Sequence, residues 1–277
     1  LAAKTATAGY HVDPSPHRGG FIPSYLCTMP KPFLTAEWRN LLMANYVVDP
    51  AVLQPYLPCG TELDTYNGNH YASLVGFLFA NTKLLGVPVP FHRTFEEVNL
   101  RFYVRYKENG VWKRGVVFIK EIVPRQAITF VANTIYGEKY ATHRMKHAWT
   151  RSSEGFEVSY HWKVGKDWNY LQAITEKDAS PLVEGSAEEF ITEHYWGYTF
   201  IDHTCSGTYQ VMHPRWGVHK VKSFSVHCNA ELLYGPQFAE ALAQQPQSVF
   251  LADGSPVMVM KGAKIYPTVS SSKRKQS

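Results

Sequence analysis

Three ionisable side chains fall at every fourth position of one short stretch: Glu97, Arg101 and Arg105, with Asn99 and Tyr103 between them. On an extended strand, residues two apart share a face, so all five point the same way, while Val98, Leu100, Phe102 and Val104 point the other way. An inward guanidinium at Arg101 can hold a carboxylate through two parallel N–H donors. A carboxylate at Glu97 can then orient a substrate or move a proton. The same alternation also describes a strand with one solvated face, and both readings stand at this point. Glu96 shares the parity of Val98, next to a loop edge.

A second stretch, Phe118–Phe130 (FIKEIVPRQAITF), sets an amine among apolar residues. An uncharged lysine attacks a carbonyl to form an imine, and burial or neighbouring positive charge provides the uncharged form. Alternation groups Lys120 with Val116, Phe118 and Ile122, and Glu121 with Val117, Ile119 and Val123. Both faces are equally apolar, so parity does not choose between a reactive amine and a lysine that extends its head to water or to an ion pair. Arg125, five residues on, stays protonated and cannot form an imine, but it can bind an anion.

The twelve histidines suggest a metal, but their spacing does not make a ligand set. His143 and His147 are four apart and would need a helix to share a face. Glu193, His194 and His203 form one loose group, His213 and His219 another, and no HExxH occurs. No metal or other cofactor is expected. Cys27, Cys59, Cys205 and Cys228 contain no CxxC pair and are expected as thiols. Tyr195, Trp196 and Tyr198 read as pocket wall or outer packing on a capped helix, and Trp216 as a side chain closing the mouth of a cavity.

The elements that must hold these residues are mostly strands. WRNLLMANYVV reads as a first strand, with a short helix as the alternative reading. DPAVLQPYLP follows as a short helix capped by Asp49, with Pro50 in its first turn. The period then becomes two. Asn67-Gly68 inside TELDTYNGNHYASLVGFLFA is a hairpin signal, and Asn109-Gly110 is another, joining the Glu97 strand to the Lys120 strand. A long loop is expected over NTKLLGVPVPFHRTF. Pro124 to Gly137 has a helical stripe. Ser186 and Glu189 form a capping box that predicts a helix running into EHYWGYTF. GFEVSYHWKVG reads as a strand, and the segment from Gly207 to Gly235 as mostly strand with a proline break.

With 45% hydrophobic and 14% aromatic residues, the chain can build a large core. No run of about 18 apolar residues occurs, so no membrane-spanning helix is expected. A net charge of +5 without a reading motif argues against nucleic acid as a partner. The first residues lack a charged segment followed by a long apolar one, against a secretory signal, and the expected compartment is the cytoplasm. The expected organisation is an extended arm over 1–32, one domain over 33–268 and a basic tail over 269–277.

Four segments in order carry a family resemblance: WRNLLMANYVVDPAVLQPYLPCGTELDTYNGNHYASLVGFLF, FEEVNLRFYVR, GVVFIKEIVPRQAITFVANTIYG, and EEFITEHYWGYT followed by VMHPRWGVHKV. Together they resemble the YqjF-like proteins of unknown function, which are similar in fold to acetoacetate decarboxylase. The resemblance implies a mainly β fold with short helices (α+β), a curved, cone-like β-barrel with helices outside and a pocket inside. It implies a small-molecule carboxylate or keto acid as ligand. A second copy of the chain is a further candidate partner, since the arm over 1–32 is expected to pack over the body or against a neighbouring chain. It also implies an enzyme of decarboxylase-like or degenerate type, or alternatively a non-catalytic binder. The decarboxylase works through an imine on one of two adjacent lysines. The comparable stretch here, IKEIVPRQ, has one lysine, with Arg125 near the place of the reactive amine. The candidate site is therefore Lys120 and Glu97 as the groups nearest to catalysis, with Arg101, Arg105, Arg125, Tyr195 and Trp216 binding substrate. Lys120 is expected not to act as an imine-forming nucleophile.

Overall fold

The computed structural model describes residues 31–88, 90–126, 129 and 139–266. The expected arm, apart from Lys31 and Pro32, the basic tail, Cys27 and most of the helix expected from Pro124 to Gly137 lie outside the described residues.

Long runs of β-branched and aromatic residues make long strands. β1 (Leu34–Val47), β3 (Tyr71–Leu84), β5 (Phe95–Glu108), β6 (Val111–Val123) and β14 (Ser248–Val259) have 12 to 14 residues each. Strands of twice the usual length accumulate twist, and a sheet built from them curves. Shorter strands complete the order: β2 (Thr61–Leu63), β4 (Val87–Pro88), β7 (Tyr140–Thr142), β8 (Met145–Arg151), β9 (Phe156–Val164), β10 (Asp167–Thr175), β11 (Trp196–Phe200), β12 (Ser206–Met212), β13 (Val218–His227) and β15 (Ala263–Ile265). The sheet runs β15-β12-β11-β6-β5-β3-β1-β14-β13-β10-β9-β8. β12 also pairs with β14 through Val211↔Val259 and Met212↔Met258, so the path meets itself.

Both faces of the central strands are covered. On one side, Val98, Leu100, Phe102 and Val104 of β5 pack with Tyr160 and Trp162 of β9, Leu171 of β10, and Leu233 and Phe238 from two short helices. On the other, Leu41, Met43, Phe77, Phe95, Tyr103 and Trp216 enclose an interior space. β9 lies directly over β3, where a Cβ at Gly76 would come within 2.8 Å of the Tyr160 ring. Only glycine allows that approach.

Among the described residues, helices include α1 (Pro50–Leu53), α2 (Ala187–Thr192), α3 (Ala230–Tyr234) and α4 (Pro236–Ala243). Asp49 caps α1 by accepting from Ala51 N at 2.8 Å. At α2, Ser186 Oγ accepts from Glu189 N at 3.1 Å, while the Glu189 carboxylate accepts from Gly185 N at 2.7 Å. α2 stops at Thr192, and the expected extension into EHYWGYTF is instead β11. WGYTF has the aromatic and β-branched content of a strand, and it finds a partner in β12.

Two turn expectations met different outcomes. Asn109 and Gly110, with φ of 50° and 84°, close β5 onto β6 as a two-residue hairpin. Asn67 and Gly68 have the same left-handed pair, 49° and 78°, but close only the single bridge Tyr66↔Asn69. Both edges of β3 are already taken by β1 and β5, so β2 pairs with β5 instead. The long loop expected after Ala80 is shorter than that, because β3 continues to Leu84 and turns back at Leu85-Gly86 into β4. The Gly207–Gly235 segment is strand in β12 and β13, with the expected proline break between Met212 and Val218, but ELLY lies in α3.

Candidate functional site

The interior face of β5 opens on a cavity of about 290 Å³. Its greater part is apolar, including the aromatic Trp38, Phe77, Phe79, Phe95, Phe118 and Trp216. Glu97, Asn99, Arg101, Glu121, Tyr140 and His194 are among its polar residues. The polar face that sequence alternation assigned to β5 is thus inward from Glu97 to Tyr103.

Glu97 is 2% exposed and held at both oxygens: Asn99 Nδ2 donates to Oε1 at 2.9 Å, and Tyr140 OH donates to Oε2 at 3.1 Å. The charge of Glu121 also acts on Tyr140. Burial, and then the charges of Glu121 and Glu97, push its phenol well above its ordinary value, so it keeps its proton. Two buried carboxylates thus meet at one phenol.

Arg101 is 8% exposed. Its Nη2 lies 3.9 Å from Met43 Sδ, its guanidinium carbon lies 5.9 Å from the centre of the Tyr103 ring, and Nε has no hydrogen-bond partner. Among the described residues no carboxylate stands within 4.0 Å of the guanidinium. A buried cation left this way is costly unless an anion completes it.

His194 sits at the junction of cavity and wall. Its Nε2 faces Asp64 Oδ2 at 3.2 Å, and the same oxygen accepts from Arg114 Nε at 2.7 Å. Burial raises the Asp64 carboxyl, but the bonds from His194 and Arg114 outweigh it and bring it down to about 2. Burial lowers His194 to about 4 despite that carboxylate. Across the cavity, His213 stacks on Trp216 with ring centres 4.0 Å apart, and Trp216 Nε1 donates to Ser255 Oγ at 2.9 Å. Burial also lowers His213 to about 4, with the charge of Arg101 adding to the effect against a backbone contact to Pro214.

Glu97, Arg101 and Trp216 therefore meet at the cavity, and the other candidates do not. Lys120 is the main correction. β6 carries a bulge: Leu100 pairs with Lys120, but Arg101 pairs with Phe118, leaving Ile119 as an extra residue. Beyond it parity inverts, so Val116 and Phe118 share the cavity with Glu121, and Lys120 turns to the outer layer. There its Nζ donates to the Leu233 carbonyl of α3. Arg105 lies at the far end of β5, paired with Glu62 at 3.2 Å and stacked on Trp112 at 4.3 Å. Arg125 is exposed. Tyr195 lies outside the cavity lining and donates to Glu193 Oε2 at 2.6 Å, with its ring against His213.

Among the described residues no three metal-ligating side chains come together. His143 and His147 flank the start of β8 instead of sharing a helix, and contact the Lys163 carbonyl and Glu96. Cys59, Cys205 and Cys228 are free thiols. Sequence reasoning missed Glu121, Tyr140 and Asp64. The bulge hid Glu121, and nothing in the pattern around Tyr140 or Asp64 marks them.

Residues 35–256 match the profile of the DUF2071 family, described as an uncharacterized conserved protein. The chain is 30% identical over 169 residues to the uncharacterized protein YqjF of Bacillus subtilis, a match covering 58% of this chain and 65% of that protein's length. Among solved structures, it is similar to acetoacetate decarboxylase from Legionella pneumophila, with a TM-score of 0.59 and 16% identity over 89% of this chain and 92% of that one. The enduracididine biosynthesis enzyme MppR complexed with pyruvate gives a TM-score of 0.58 and 11% identity, over 87% and 93%. At these identities the structural likeness concerns the fold, a β-rich, short-helix architecture of the acetoacetate decarboxylase-like type. No helix among the described residues is long and apolar enough to cross a membrane.

Proposed function

The chain belongs to the DUF2071 family, and we propose that it binds a small keto or carboxylic acid in the interior cavity, as a decarboxylase-like or degenerate enzyme. The observation that carries this reading is Arg101, a buried guanidinium on the cavity wall with no carboxylate partner among the described residues. A ligand carboxylate would complete it through two N–H donors. Glu97 or Glu121 would handle a proton at the other polar edge, because a carboxylate can accept one, with Tyr140 holding Glu97 in place. The company the fold keeps supports the same ligand class, since one relative of this shape is named for acetoacetate and another was solved with pyruvate. In this reading the curved strand path forms a cone-like barrel whose inside is the binding chamber.

A specific observation favours the second reading, a non-catalytic binder. No lysine is among the described residues lining the cavity, and the Lys120 amine is engaged on the opposite face of β6. Imine chemistry therefore has no support from this site.

Melting curves and calorimetric titration with pyruvate and acetoacetate test the proposal. Both acids should stabilise the protein, and Arg101→Met should weaken them by roughly tenfold or more, as expected for loss of a charge-assisted contact. Equal affinity in Arg101→Met would sink the assignment. Borohydride in the presence of acetoacetate should trap no adduct. Carbon dioxide release without trapping would identify a decarboxylase that does not use an imine, and ligand-induced stabilisation without turnover would identify a binder.

A further inference from the structure

We propose that His194 is a specificity-determining acceptor, presenting Nδ1 to a hydroxyl of the bound acid, so that the site prefers hydroxy acids or enolised keto acids over plain carboxylates. This rests on the acid-binding reading of the cavity.

The tautomer follows from the partners. Asp64 Oδ1 accepts from Thr65 N at 2.9 Å, and Oδ2 accepts from Arg114 Nε at 2.7 Å, so the group is an ionised carboxylate that only accepts. The His194 nitrogen facing it at 3.2 Å must therefore carry the proton, which puts the hydrogen on Nε2. Burial keeps the ring neutral, so Nδ1 retains a bare lone pair.

The orientation is fixed as firmly as the tautomer. The ring packs at 4.8 Å from Tyr103 and edge-on at 5.1 Å from Phe190. The Tyr103 hydroxyl is tied to Ser73 Oγ at 2.6 Å, and Ser73 donates to Asn45 Oδ1 at 2.6 Å. The imidazole cannot swing to find another donor. His194 is 7% exposed, yet Nδ1 is a buried polar atom with no hydrogen-bond partner. Buried acceptors are normally satisfied, and the exceptions need a reason.

In the proposal that partner is the ligand: His194 lines the cavity together with Arg101, and the charge of Arg101 acts on the imidazole. A ligand whose carboxylate meets Arg101 brings its own hydroxyl into the region of the neutral imidazole that Asp64 holds in this tautomer. So weak a base recognises that hydroxyl proton without removing it. A site built to hydrogen-bond a hydroxyl discriminates strongly against the analogue that lacks one, because the buried acceptor is then left unpaired.

Two matched pairs of probes test this: lactate against propionate, and 3-phenyllactate against 3-phenylpropionate. Calorimetric titration should show the hydroxy member of at least one pair binding about tenfold or more tightly. In His194→Phe the affinity ratio within that pair should fall to about one. In the wild type, the 15N resonance of His194 Nδ1 should move with the hydroxy acid and stay still with its deoxy partner, a readout that stands even if the variant fails to fold. Equal affinities within both pairs, a preference that survives in His194→Phe, or an unmoved Nδ1 resonance would overturn the inference while leaving Arg101-dependent acid binding intact. If no acid binds, or binding is indifferent to Arg101→Met, the acid-binding reading falls and the inference with it.

Discussion

Three titrating residues around the cavity share one dependence on acid. His194 and His213 are held near 4, where an unburied histidine sits at 6.5, so the unfolded chain takes up more protons than the folded one between those values. Stability then rises with pH across that window, is fully present above about 6.5, and is lost as the pH falls towards 4. Asp64, at about 2 against 3.8, continues the loss below that. For His194 the contribution is on the order of 3 kcal/mol. The melting temperature should therefore drop steeply from pH 6.5 to 4, and His213→Asn should flatten that slope. A melting temperature constant over the window would contradict burial as the cause. The residue scale was partly legible in advance. The period-two pattern in EEVNLRFYVR marked Glu97 and Arg101 as sharing a face, but it could not say that the face was interior. Only the tertiary cover on both sides of β5 decides that. The same pattern extended to Arg105 because a repeat of four has no natural end, whereas the cavity ends near Tyr103.

At the scale of elements, local signals held where they acted on their own neighbours and failed where a distant strand competed. Asp49, Ser186 and Asn109-Gly110 did what their chemistry predicts, since each satisfies groups within a few residues. Asn67-Gly68 made its turn but could not pair the flanking strands, because β1 and β5 had taken both edges of β3. The bulge in β6 is the sharpest case. FIKEIV has no glycine or other mark of an inserted residue, yet one extra residue exchanges Lys120 for Glu121 at the cavity and so changes the available chemistry. The short β11 shows a similar dependence on close fit. A Cβ on Gly197 would come within 2.2 Å of the Tyr209 ring on β12, and both residues line the cavity. Gly197→Ala should therefore rotate that ring, destabilise the protein by roughly 1–3 kcal/mol as overpacking does, and weaken acid binding. Chemical denaturation and titration of the variant check both effects. Wild-type stability together with wild-type affinity would show that the Tyr209 ring yields to the added methyl without cost.

For the whole molecule, the composition and the series of strand-like segments were enough to expect a large, mainly β body, and the family resemblance implied that it is curved. What no local pattern carries is the return of the strand path on itself, because Val211 and Val259 are far apart in sequence and their pairing spans only two residue pairs. That seam is extended by one further bond, from Met260 N to Gln210 O at 2.9 Å, while Phe33 N continues the β1–β14 pairing by donating to Val259 O at 2.9 Å. Its strength determines whether the cavity is a chamber or an open trough. If the seam is continuous with the rest of the sheet, the Met260 amide opens only when the molecule unfolds, and its exchange reports the global stability. If it is a loose edge, that amide exchanges by local opening, as fraying strands do, well before the β1–β3 amides at Met43 and Val75. We expect the first outcome, with Met260 protected to within about tenfold of Val75. Native-state hydrogen exchange by NMR measures both amides in one experiment. Addition of an acid that binds Arg101 should slow the two together, because a ligand held inside stabilises only the state in which the path is joined. Protection at Val75 with rapid exchange at Met260, unchanged by ligand, would mean that the sheet is open at β12–β14 and that the aromatic cavity is a groove on its concave face.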